Sequence, residues 1–166
     1  MSDAFGLYEP HSNSLWQGRS CENKDSRLEL SVFRGDVSLS VRDASKPGAP
    51  LFKMSIPRDF GILTRETFNL LATQPPGTKY SIPYEEWDQQ TRTSKAVATL
   101  IYGIDAKGAP FIGISCPAGS HKFPLRLGLR YNVESSGIPE EVIRRSAMLA
   151  FTDAATVDAP MAARLS

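Results

Sequence analysis

A chain of 166 residues with a formal net charge of +1, 41% of it hydrophobic and 22% charged, is sized and composed for one globular domain, able to bury around 70% of its unfolded surface in a single core. No apolar run approaches the ~20 residues of a membrane-crossing helix, and the opening residues include Asp3 and Glu9 rather than a basic start and an apolar stretch, so neither a membrane protein nor a secretory leader is expected. Cys21 and Cys116 form no C-x-x-C and no dense framework, which suits a reducing, cytoplasmic compartment.

Residues 1–24 have neither strand nor helix period and read as an irregular arm. Phe5, Tyr8 and Trp16 are too apolar for a disordered tail, so the arm is expected to dock on the domain or on another copy, or to supply stacking rings. Residues 27–42 alternate on both sides of Phe33-Arg34-Gly35-Asp36 and predict a hairpin in which Arg-Gly-Asp is turn chemistry. A strand follows over residues 51–56, stopped by Pro57. Asp59 can cap a helix whose Phe60, Leu63, Thr67, Leu70 and Leu71 keep helical spacing and which Pro75-Pro76-Gly77 ends. Pro83 demotes residues 79–88 to an edge strand or a long loop.

Residues 96–104 and 111–116 read as a long-turn hairpin that leads through residues 117–120 into an alternating strand over residues 122–133. Its odd positions Phe123, Leu125, Leu127, Leu129, Tyr131 and Val133 are apolar, while its even ones include Lys122, Arg126 and Arg130. One face is therefore core and the other a row of cations. Arg126 and Arg130 lie on the order of 13 Å apart, roughly two nucleotides of extended backbone, and Pro124 places the strand at a sheet edge or beside a bulge. Residues 138–151 form a second helix, with Pro139 at its first position and Glu140 and Glu141 at its positive end. The expected fold is α+β: a largely antiparallel sheet of about six to seven strands with two helices, one after the third strand and one near the C-terminus. Residues 25–152 form its single domain, and residues 153–166 a flexible tail.

Residues 89–133 hold six cations against the single acid Asp105, a net of +5; the remaining thirteen cations and seventeen acids leave −4. A near-neutral total thus conceals a polarised molecule whose basic segment suits a polyanion. The supply of catalytic groups is thin. His121 and Cys116 have nothing between them to orient a nucleophile and base, and Cys21, Cys116, His11 and His121 lack zinc-ligand spacing. Asp105-Ala106-Lys107 resembles the acid-x-lysine pattern of metal-dependent nucleases, with Asp88 or Glu86 as the second carboxylate, but the Gly108 that follows favours a turn. No catalytic residue, cofactor or metal is expected.

What recurs is cations interleaved with aromatics, the composition of a single-strand binder with a basic track for phosphates and rings for bases. The expected phosphate contacts are Lys95, Lys107, Lys122, Arg126 and Arg130, with Arg92 and His121 at the rim. Tyr102, Phe111 and Trp87 are expected to stack on bases, Phe33, Tyr80 and Tyr84 are further candidates, and Phe52, Phe123 and Tyr131 belong to the core. Arg144 and Arg145 share their helix with Glu140 and Glu141, which disfavours reading of a duplex groove.

On the basic meander of residues 96–133 and its flanking helices, the chain resembles small phage-encoded single-stranded-DNA-binding proteins. More narrowly, it is similar in size and layout to the DNA-binding RNA polymerase cofactors of Schitoviridae phages. The resemblance implies binding to single-stranded DNA without strong sequence preference, recruitment of a viral RNA polymerase in transcription or replication, self-association into a homo-oligomer, and residence in the bacterial host cytoplasm. One feature departs from that pattern: Asp153 and Asp158 are the only acids after Glu141, so an acidic partner-holding tail is missing. Two alternatives stand beside this reading, a protein-interaction factor that engages a host or viral enzyme through the basic face, and a metal-dependent nuclease.

Overall fold

The computed structural model describes residues 14–33, 36–46, 48–127 and 135–156. Four strands come first: β1 (Ser14–Arg19), β2 (Ser26–Phe33), β3 (Asp36–Asp43) and β4 (Phe52–Ser55). Helix α1 (Asp59–Leu71) follows, then β5 (Lys79–Asp88), β6 (Thr93–Ile104), β7 (Pro110–Cys116) and β8 (Gly119–Pro124), and finally α2 (Glu140–Ala155). The strands make two antiparallel four-stranded sheets, β1-β2-β3-β4 and β5-β6-β7-β8, each in chain order.

The α+β expectation holds, but the single sheet of six to seven strands is corrected to two sheets of four. Strand β4 is short and runs into Pro57, which has no N–H to extend a ladder. The chain passes instead through α1 and begins a second meander. In the first sheet Leu28, Leu30 and Val32 face Val41, Leu39 and Val37 across the ladder, and all six are buried. In the second, Leu100 and Tyr102 pair with Ile114 and Ile112, and Phe123 adds the third strand. These two faces, with Phe60, Phe68 and Leu71 of α1 and Met148 and Phe151 of α2, form one continuous apolar cluster. Helix α1 packs on α2 and β6, α2 reaches β1, and the edge strands β1 and β8 touch where the sheets meet.

Three local expectations change. Residues 14–19, read as part of an irregular arm, form an edge strand paired with β2. Trp16 lies over Gly18, where a Cβ would come within 2.4 Å of the indole, and its ring meets Phe151 edge-on at 4.8 Å. Helix α1 buries Phe60 and Leu71 as expected, but Thr64 and Phe68 complete its inward face while Leu63 and Leu70 are exposed. Asp59 makes no cap, since the N-cap is Arg58 without a side-chain bond. The strand expected over residues 122–133 ends at Pro124; residues 125–127 continue without strand pairing, and Arg130, Tyr131 and Val133 lie outside the described residues.

Candidate nucleic-acid interface

The inner face of the second sheet is core, and its outer face carries the residues that alternate with it. Gly103 is opposite Phe111, and Ile101 is opposite Gly113, in alternation with the buried Tyr102 and Ile112. The Phe111 ring rests against Gly103, where a Cβ would come within 2.5 Å of Phe111 Cζ, and Ile101 lies across Gly113. Lys122, opposite Gly113 on the edge strand β8, extends over the ring with its Nζ 4.4 Å from the centroid. The stem of Lys79 flanks the same ring, its Cβ 3.1 Å from the position a Cβ on Gly103 would take. Two glycines thus floor a patch that carries one aromatic ring and two lysines.

Lys107 belongs to the turn beside this patch. Asp105 closes that turn by accepting the N–H groups of Lys107 at 2.8 Å and Ala109 at 2.9 Å. Partial burial works against the charge on Asp105, but those two N–H groups, with Lys122 and Arg144 nearby, hold its carboxyl below the usual range. Asp105 is therefore spent on turn geometry. Asp88 sits at the other end of the twelve-residue β6, roughly 35 Å away at strand rise, so the carboxylates that the nuclease reading needs together are held apart. Among the described residues no three His, Cys, Asp or Glu side chains form a metal-ligating group.

The remaining expected contacts do not join this patch. Trp87, 59% exposed, shares the tip of the β5–β6 hairpin with Lys95 and Arg92, roughly 30 Å along the strands from Phe111. Lys95 is 3.3 Å from Asp88. The carboxyl of Asp88 is lowered first by the backbone N–H groups of Gln90 and Thr91 and then by Lys95. Tyr102 is corrected from stacking residue to core residue. It is 0% exposed, with its hydroxyl 2.8 Å from Thr64 Oγ1, and a ring with no open face cannot receive a base. His121 is corrected as well: it is opposite the buried Ile114 and stacks on Phe123 at 6.1 Å, on the side of β8 away from Lys122. Arg130 lies outside the described residues.

Arg126 is exposed beyond the end of β8 and enters a different surface. It lines a cleft of about 720 Å³ together with Arg19, Lys24 and Arg27, walled by Trp16 and Leu127, and no acid among the described residues lines it. The cleft opens where the edges of the two sheets meet. Arg19, Lys24 and Arg27 were not among the expected contacts. Arg27 was legible as an outward strand residue, but its meeting with Arg126, 99 positions later in the chain, is a product of the fold. The structure thus divides the predicted track into the Phe111–Lys122 patch with Lys107, the hairpin tip with Trp87, Arg92 and Lys95, and the basic cleft with Arg126. Comparison with known proteins finds no family model, no curated protein and no solved structure that matches this chain.

Proposed function

We propose that the protein binds single-stranded DNA with little sequence preference, and that it does so as a viral transcription or replication cofactor acting with an RNA polymerase. The observation that carries the DNA reading is Lys122 poised over Phe111 on a glycine-floored sheet face. An ammonium over a ring is held by about 0.5–1 kcal/mol at an exposed site, little enough for a phosphate to draw it away. The uncovered ring then offers a stacking surface worth ~1–3 kcal/mol per base. Stacking of this kind is tolerant of sequence, because every base has a π-face. Lys107 and Lys79 supply further charge beside the ring, and the basic cleft with Arg126 lies along the same edge strand. The polymerase partnership rests on the resemblance to phage cofactors.

A second reading, a protein-interaction factor, has its own support: Ile62, Leu63 and Leu70 are exposed on α1, an apolar helix face of the kind that partners cover. Single- and double-stranded oligonucleotides of one length separate the two. The account predicts that the single strand binds more tightly and that Lys122→Ala weakens it severalfold. Equal binding of duplex and single strand, or none of either, would favour the protein partner.

A further inference from the structure

The cleft between β1 and the chain after β8 gathers cations that no carboxylate among the described residues neutralises. Arg19 and Arg27 are direct cross-strand partners, an arrangement that is destabilising for like charges unless something of opposite sign lies between them. The acid nearest in the ladder is Glu29, and it is fully engaged. One of its oxygens accepts from Gln17 Nε2 at 3.0 Å and the other from Arg42 Nε at 3.1 Å. Glu22 and Asp25, on the turn that joins the two strands, do not line the cleft.

Arg27 and the turn that carries Lys24 are held in place. Arg27 Nη1 donates to the Lys24 and Ser26 carbonyls. The turn that carries Lys24 is pinned by Ser20 Oγ, which accepts the N–H groups of Glu22 at 3.1 Å and Asn23 at 3.2 Å. Arg19, Lys24, Arg27 and Arg126 make no salt bridge among the described residues. Like charges gathered in a cleft that no acid of the described residues lines are arranged for an anion, and guanidinium groups suit the oxygens of phosphate. The volume of about 720 Å³ falls within the range of small-ligand sites, and Trp16, Pro124 and Leu127 provide an apolar wall for an organic group attached to the phosphate.

We infer that this cleft is a phosphate-binding site for a terminal phosphate, carried by a free nucleotide-like molecule or by the end of a nucleic-acid strand. It does not depend on what the Phe111–Lys122 patch binds.

The test is calorimetric titration of the full chain at constant ionic strength with three probes: inorganic phosphate, a 5′-phosphorylated oligothymidine, and the same oligothymidine ending in a 5′-hydroxyl. Inorganic phosphate is expected to bind at one saturable site, and Arg19→Gln and Arg126→Gln are each expected to weaken it by about tenfold. Lys46→Gln, an exposed cation away from the cleft, should leave it unchanged. Tighter binding of the phosphorylated strand than of the hydroxyl strand assigns the site to strand ends, and equal binding of the two assigns it to small phosphorylated molecules. Arg126 makes no hydrogen bond to the described residues, so its loss does not endanger the fold. Absence of saturable phosphate binding, or binding that survives both substitutions, overturns the assignment. Failure here with strand binding still sensitive to Lys122→Ala would leave the sheet-face reading standing.

Discussion

Tyr102 and Thr64 show how a single polar contact is accommodated at the centre of the molecule. Thr64 donates to the Phe60 carbonyl at 2.7 Å and also meets the Tyr102 hydroxyl, so both hydroxyls are satisfied in a site that water does not reach. Burial pushes the phenol up to about 12, with the Thr64 bond acting in the opposite direction. An unfolded tyrosine ionises near ~10. Between those values the unfolded chain releases a proton that the folded chain keeps, so this contribution to stability is full below pH ~10 and declines as pH rises toward ~12. The expected loss is about 2–3 kcal/mol, measured as a fall in denaturation midpoint. Tyr102→Phe should lower stability at neutral pH by about 1 kcal/mol and flatten the curve across that alkaline window. An unchanged alkaline slope in the variant would show that Tyr102 is not the titrating group.

At the scale of elements, α1 is fixed by how closely it approaches α2. A Cβ on Gly61 would lie 2.6 Å from Thr156 Cγ2 and 2.7 Å from the Ala155 carbonyl carbon, and the second of these is backbone that cannot rotate away. Gly61→Ala is therefore expected to destabilise by about 1–2 kcal/mol, since overpacking outweighs the ~1 kcal/mol that alanine brings to a helix; urea unfolding measures it, and a stabilised variant would contradict the packing. The sequence shows Gly61 only as a weak point in the first turn of a helix. The same limit explains the partly misplaced face of α1: spacing alone makes Leu63 and Leu70 as good companions to Phe60 and Leu71 as Thr64 and Phe68, and Thr64 is accommodated inside by the Phe60 carbonyl and the Tyr102 hydroxyl. The hairpin of residues 27–42 was legible because its period-two alternation is undisturbed, and the edge placement of residues 79–88 because Pro83 lacks an N–H for a central ladder. β1 was not, because its inward residues are the dissimilar pair Trp16 and Gly18, one filling the space the other leaves.

For the whole molecule, the charge asymmetry of the sequence persists, but its geometry differs. The +5 segment does not fold into one track: β6 carries its ends to opposite extremes of the sheet, and Arg126 leaves the strand to join cations contributed from near the N-terminal end. Composition reveals how much charge a segment holds, whereas the register of β1 with β2 and the contact of β1 with β8 decide which charges share a surface. Lys122 and Phe111 were legible as candidates because both lie outward on adjacent strands; Arg19 and Lys24 were hidden in a segment without visible periodicity.

The central claim is that DNA is held electrostatically along this edge of the molecule, and the most direct test is the salt dependence of single-strand binding by the wild type and by the double variant Lys122→Ala with Arg126→Ala. The account predicts that the logarithm of affinity falls linearly with the logarithm of salt concentration, with a slope shallower by about 1.4 in the double variant, as for two lost phosphate contacts. It also predicts an affinity at low salt lower by more than the severalfold loss of Lys122→Ala alone, the two losses being additive. Affinity indifferent to salt, or a double variant that binds as the wild type does, would contradict it.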